Sequence, residues 1–195
     1  MKISRKLNLT FPLVDPEDEQ KIVAWVHSTP IGAETFDTYY LPIARAYSAF
    51  HANNLGIFGA PKIADKLLRT TAMELGVWEN EAQTGRIGVK HGLVAEIHRL
   101  TNVWAPTPDG RGWQDYQYQE AKDAGLIDAD DASEVDNILT FFTVISHMQP
   151  RRELKTMLSI VSALWHARVD ALTFMDLKTS LQTSTQVALS TGKAA

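Results

Sequence analysis

The N-terminal segment alternates between apolar and polar residues, and this pattern constrains the fold more than any other. Odd positions from Ile3 to Phe11 are largely apolar and even positions are polar, which is the period of a half-buried β-strand. An acidic, turn-forming segment at 15–20 leads into residues 21–27, which also favour a strand. We therefore predict a β-hairpin. Because a lone hairpin is marginally stable in water, it must pack on helices, extend into a larger sheet or pair with another chain.

Helical patterns fill most of the remaining chain. Residues 28–50 begin with a Ser-Thr-Pro start signal and carry apolar side chains at three- and four-residue intervals, and Pro42 predicts a kink or break inside them. A loop is predicted at 105–113. Further helices are predicted at 60–75, 86–104, 117–125, 128–148, 151–169 and 173–182, the last with Thr173 and Asp176 in a capping-box-like arrangement.

Together these segments predict a mainly α-helical protein. Its 195 residues suit a single helical domain of about six helices with an N-terminal β-hairpin. The hairpin would cover residues 1–28 and the helical domain residues 29–181. Residues 182–195 are rich in Ser and Thr and have few apolar anchors, which predicts a flexible C-terminal tail.

Composition excludes several kinds of site. The chain has no cysteine, so disulfides, thiolate metal sites and a cysteine nucleophile are excluded. Its net charge of −4, without a long run of Lys or Arg, does not indicate nucleic-acid binding. No apolar stretch approaches the ~20 residues of a membrane span, and the N-terminus does not resemble a signal peptide. We expect a soluble, cytoplasmic protein that binds neither nucleic acid nor membranes.

No arrangement of residues predicts catalysis, a metal or a cofactor. His91 and His98 lie seven residues apart with Glu96 between them, whereas a zinc-peptidase helix needs two histidines four apart. Residues 128–139 resemble a calcium loop, but Ser133 stands where glycine is needed and Leu139 where a bidentate glutamate is needed. The glycines form no phosphate-binding loop. We predict a non-enzymatic protein; a small helical enzyme using His91, Glu96 and His98 is the least favoured alternative.

Aromatic residues are the best candidates for contact with a partner. Tryptophans often anchor protein interfaces, although they more often close a small core. The stripe that contains Tyr40, Tyr47 and Phe50 fits a core or an interface equally well. The candidate partner-binding residues are Trp25, Tyr40, Tyr47, Phe50, Trp104 and Trp113; the other two tryptophans are Trp78 and Trp165.

Four stretches, read in order, suggest a family. They are "RKLNLTFP…WVHSTPI" (5–31), "GLVAEIHRLTNVW" (92–104), "ASEVDNILTFFTVISHM" (132–148) and "TSLQTST" (179–185). Together they resemble the tail assembly chaperones of long-tailed, siphovirus-type bacteriophages. The resemblance spans nearly the whole chain, and it transfers no catalytic residue.

This resemblance implies a function without covalent chemistry. A member of this family would bind the tape-measure protein through apolar helix faces, keep it soluble, help recruit tail tube subunits and self-associate. It would act in the host cytoplasm and be absent from the mature virion, without a cofactor. The alternative is a structural virion component, such as a neck or tail-completion subunit, that uses the hairpin to extend a neighbour's sheet.

The C-terminus raises a separate hypothesis about the gene. Proteins of this class are often made in two lengths by a backward ribosomal slip near the end of the shorter frame. Gly192 and Lys193 can be encoded by a slippery purine run, so they are the candidate frameshift position. The alternative is a polar tail that ends there by chance, and the codons for residues 190–195 distinguish the two.

Overall fold

The fold combines a β-sheet with helices, so the predicted mainly α class is wrong. The computed structural model describes residues 7–15, 17–52, 59–77, 92–107, 112–150 and 166–191, and positions 153, 154, 156, 159, 162 and 163. Within these residues it has seven α-helices and a five-stranded antiparallel sheet. Gly192, Lys193, Trp78, His91 and Trp165 lie outside the described residues.

The predicted hairpin is confirmed, and it forms the centre of the sheet. Its two strands pair in antiparallel fashion, with Phe11 opposite Val26. The sheet order is β4-β3-β2-β1-β5. The hairpin therefore extends into a larger sheet, which is one of the three arrangements predicted for it. The strands are β1 (Asn8–Asp15), β2 (Asp18–Ser28), β3 (Thr101–Pro106), β4 (Trp113–Gln117) and β5 (Arg168–Asp170).

Three of the strands replace predicted helix or loop. The helix predicted at 86–104 ends at Arg99, and the chain then enters β3, where Val103 pairs with Val26 of β2. The end of the helix predicted at 151–169 is instead β5, where Val169 pairs with Leu9. Trp113, predicted to close a loop, begins β4 opposite Pro106. These assignments failed because pairing with strands distant in sequence outweighs local helical propensity.

Some helix boundaries follow local signals. Pro42 breaks the predicted helix 28–50 as expected, since Tyr39 separates α1 from α2 and Pro42 lies in the first turn of α2. A short 3-10 helix, Ala60–Lys62, precedes α3. The helices are α1 (Ala33–Thr38), α2 (Tyr40–Ala52), α3 (Ala64–Glu74), α4 (Leu93–Arg99), α5 (Tyr118–Asp123), α6 (Ala129–Met148) and α7 (Phe174–Thr191).

Helix ends also match their sequence signals. Gly76 and Gly125 follow α3 and α5 with φ of 67° and 70°, a left-handed conformation that glycine adopts at low cost. The carboxylate of Asp128 accepts a hydrogen bond from the amide of Asp131 at 2.8 Å. Residues 128–131 therefore cap α6, in agreement with the predicted acid-rich helix start.

One face of the sheet and the helices share the main hydrophobic core. Residues 138–145 of α6 are buried on every side, as in a central helix. The sheet contributes alternate residues to the core, because successive strand side chains point to opposite faces. The core residues include Leu9, Phe11, Val26, Val103, Phe50, Leu68, Tyr118, Phe141 and Phe142.

Candidate binding surface

Three tryptophans meet on the sheet face that points away from the main core. Trp25 of β2 is directly opposite Trp104 of β3, and the ring centroids of Trp104 and Trp113 are 4.8 Å apart. His27 lies two residues after Trp25 and therefore on the same face. We call Trp25, His27, Trp104 and Trp113 the tryptophan face. Trp104 is buried, yet it does not belong to the main core.

Helix α7 covers part of this face with its first two turns. The ring of Phe174 lies 5.5 Å from that of His27, and Leu177 is only 2% exposed. Lys178 Nζ lies 2.5 Å from Asp115 Oδ2 on β4, which shares the face with Trp104. The face therefore has an apolar centre and a charged pair at one side.

The chain leading into α7 is also held by the sheet. Asn8 Nδ2 donates a hydrogen bond to the carbonyl oxygen of Leu172 at 2.7 Å, and His27 Nε2 lies 3.2 Å from the same oxygen. The amide of Leu172 donates to Asp170 Oδ1 at 2.9 Å. Thr173 and Asp176 exchange side-chain and backbone hydrogen bonds, which confirms the predicted capping box.

Two polar atoms of the tryptophan face are buried without a hydrogen-bond partner. They are Nδ1 of His27 and Nε1 of Trp104. If His27 donates from Nε2 to Leu172, its Nδ1 is an acceptor, whereas an indole N–H is always a donor. Burial lowers the pKa of His27, against the opposing effects of the Leu172 carbonyl and the charge of Asp170. Buried polar atoms are normally paired, so this face is incompletely satisfied.

The structure brings together three of the six candidate partner-binding residues. Trp25, Trp104 and Trp113 form the tryptophan face, while the other three lie on α2. Phe50 is buried in the main core beside Phe141, and the Tyr47 hydroxyl accepts a hydrogen bond from Gln149. Tyr40 is 52% exposed and packs edge-on against Phe36. The aromatic stripe of α2 is thus divided between core and surface.

Sequence reasoning missed the residues that complete the tryptophan face. Phe174, Leu177 and Lys178 were part of a predicted helix, and their spacing of three and four places them on one side of it. His27 was part of a predicted strand, two residues from Trp25. The sequence therefore indicated that Phe174, Leu177 and Lys178 share one side of a helix. It did not indicate the sheet face that they cover.

A separate polar cluster lies among the helices. His98 Nε2 is 2.8 Å from Asp136 Oδ1, and the Tyr118 hydroxyl donates to the same oxygen at 3.0 Å. Burial raises the pKa of Asp136, but the hydrogen bond and charge of His98 outweigh this, so its pKa is lowered. Burial and the nearby Asp136 raise the pKa of Tyr118. The cluster is a closed hydrogen-bonded network that ties α4 and α5 to α6.

The residues of the enzyme alternative are not gathered at a site. Glu96 pairs with Arg99, with Nε of Arg99 2.6 Å from its carboxylate, whereas His98 turns to Asp136. His91 lies outside the described residues. Among the residues that the structure describes, no three His, Asp or Glu side chains are placed to hold a metal ion. The described residues that line a shallow groove beside α6 include Lys62, Asp130 and Glu134.

Comparison with known proteins adds no family. No family model matches the chain, and no curated protein or solved structure is significantly similar to it. Within the described part of the chain, no helix is long and apolar enough to cross a membrane. The tryptophan face is therefore the feature on which a functional proposal can be built.

Proposed function

We propose that this protein is a tail assembly chaperone of a long-tailed bacteriophage. In this role it binds apolar helical segments of the tape-measure protein on the tryptophan face, keeps them soluble and helps recruit tail tube subunits. It acts in the host cytoplasm, self-associates and is displaced before the virion is complete. The observation that carries the proposal is an aromatic sheet face, outside the main core, that already accommodates a helix.

The chemistry of the face suits the proposed task. A long helical protein exposes apolar surface before its own assembly is finished, and such surface aggregates. Tryptophan supplies a large apolar contact area and a polar edge, and it is enriched at protein interfaces. Displacement by polymerising tube subunits would release the chaperone without a nucleotide.

Co-expression with a tape-measure fragment tests the proposal. We expect the wild-type chain to keep an otherwise insoluble fragment in the soluble fraction. Trp113→Ala should lower the affinity about ten-fold or more, as for an interface tryptophan, because this side chain is 38% exposed and accessible to a partner. Met73→Ala, which removes a 63% exposed side chain on α3, is the control and should have no effect.

Two results would contradict this assignment. Equal precipitation of the fragment with and without the protein would reject chaperone activity. A loss of affinity with Tyr40→Ala, together with no loss for Trp113→Ala, would move the binding surface to α2.

A structural role in the virion is the second candidate, and the open edge of β4 favours it. Four of the five β4 residues are exposed, and β4 ends the described sheet. Both hairpin strands already have neighbours on each side, so a neighbouring subunit would add a strand to β4 instead of the hairpin. Mass spectrometry of purified particles separates the candidates, because only a structural subunit should be abundant in them.

A further inference from the structure

The first two turns of α7 contact the tryptophan face through one side of the helix. Phe174, Leu177 and Lys178 are at positions i, i+3 and i+4, which share a side of an α-helix. Phe174 contacts His27, Leu177 is buried and Lys178 pairs with Asp115. Lys178 Nζ also lies 5.6 Å from the ring centroid of Phe174, so the three side chains form one compact group.

This cover is separable from the main core. Leu177 and Trp104 are both buried, but neither belongs to the core that the helices share with the opposite sheet face. Neighbouring side chains of α7 face solvent; these are Met175, Asp176, Thr179, Ser180 and Gln182. The described contacts between the first two turns of α7 and the sheet therefore lie outside the main core.

The fit between α7 and the face is also incomplete. Nδ1 of His27 and Nε1 of Trp104 are buried without a partner while α7 is in place. Each unsatisfied buried polar atom costs free energy, since a group left unpaired loses its hydrogen bonds to water. A different helix that supplied polar atoms to these positions would bind the same face more favourably.

We propose that the start of α7 is a displaceable internal occupant of the tryptophan face and that it mimics the partner. The partner is an amphipathic helix with an aromatic residue, an apolar residue three positions later and a Lys or Arg directly after that. Asp115 selects the basic residue, because an acidic residue there would face a like charge. This inference rests on the proposed function in one respect, which is that the physiological partner is a tape-measure helix.

A peptide of residues 171–191 of this chain, carrying a fluorophore, tests displacement on the full-length protein. In the wild type the peptide must compete with the attached α7. Leu177→Asp places a charge in an apolar contact and should release α7, which frees the face for the peptide. We expect Leu177→Asp to bind the peptide at least ten-fold more tightly than the wild type, in line with the burial of one leucine.

Met175→Asp is the matched control. It introduces the same charge two residues earlier on α7, at a side chain that is 65% exposed, and should bind the peptide as weakly as the wild type. Adding Asp115→Lys to Leu177→Asp should lower peptide affinity, and a peptide carrying Lys178→Glu should restore it. Recovery by the matching charge would show that the peptide occupies the position of α7.

Three outcomes would overturn the inference. They are equal peptide binding by Leu177→Asp and Met175→Asp, indifference to the charge exchange, and global unfolding of Leu177→Asp by circular dichroism. The last would show that α7 is an integral part of the fold. The peptide experiment contains no tape-measure protein, so its failure would leave the chaperone assay unaffected, and failure of that assay would leave this result intact.

Discussion

The two faces of the sheet are built from different side chains and covered in different ways. The core face presents aliphatic and phenylalanine side chains, such as Leu9, Phe11 and Val26, to helices that share a single core with it. The opposite face presents tryptophan, histidine and acidic side chains to the start of one helix. One sheet thus carries a permanent interface and an exchangeable one.

The two faces differ in the chemistry of their side chains, although buried polar atoms without a partner occur on both sides, since the Tyr116 hydroxyl and Asp65 Oδ1 on the core side also have none. An aliphatic side chain needs only close packing, and a core supplies this without directional bonds. Indole and imidazole rings also carry polar atoms that need partners, and on the tryptophan face two of these atoms have none. An aromatic face of this kind can offer a ligand both apolar area and polar atoms.

The largest expected effect compares two leucines of equal burial on opposite faces. Leu9 of the main core is 0% exposed, and Leu177 of α7 is 2% exposed. Leu9→Ala should lower the free energy of unfolding by about 2–5 kcal/mol, since it leaves a cavity in the core. Leu177→Ala should cost less than about 1 kcal/mol of global stability, because α7 can undock before the core unfolds. Urea denaturation measures both values, and equal losses would contradict the comparison.

Local signals in the sequence predicted some of the helix boundaries. The capping box at Thr173, the proline break before α2 and the glycine after α5 each depend on residues within one or two turns. The hairpin was predicted for the same reason, since its strands are joined by a short turn. Both features need only a few neighbouring residues to form.

The rest of the sheet could not be predicted because it depends on distant pairing. In β3 the core-facing Val103 is flanked by Asn102 and Trp104, and both faces of the strand are covered, so apolar and polar residues do not alternate. β5 is three residues long and pairs with β1, almost the whole chain away. The tryptophan face depends on the pairing of β3 with β2 and of β4 with β3, so the sequence did not reveal it.

An intermediate effect is expected from the polar cluster on the core side. Asp136→Ala removes the acceptor of both His98 and Tyr118, so it should cost about 2 kcal/mol of unfolding free energy. The lowered pKa of Asp136 also means that its contribution is present above the unfolded carboxyl pKa near 3.9 and is lost as the pH falls below that value.

The effect of Asp136 on acid stability is isolated by comparing the wild type with Asp136→Asn. Burial raises the pKa of Asp65, so the stability that this carboxyl contributes is lost as the pH rises above the ordinary carboxyl pKa near 3.9. Asp136→Asn should therefore reduce the acid loss relative to the wild type while Asp65 still titrates. Urea denaturation at pH 3 to 6 measures the free energy of unfolding of both proteins. If Asp136→Asn loses as much stability in acid as the wild type, the polar cluster contributes no pH dependence.

The smallest and most local effect is expected from His27. Its pKa is lowered, chiefly because burial disfavours the charged imidazolium, so its neutral form stabilises the docked α7 fully above pH 6.5. As the pH falls below 6.5, protonation of the undocked state is favoured and about 1 kcal/mol of docking free energy should be lost. Amide hydrogen exchange at pH 7.5 and 5.5, corrected for the intrinsic rate, should show reduced protection in α7 at the lower pH, while β1 to β3 keep their protection.

His27→Gln is the control, because it retains a donor to Leu172 without titrating and should abolish the pH dependence. Equal loss of protection across the sheet and α7 would mean that the two faces open together and that the distinction between a permanent and an exchangeable interface is wrong.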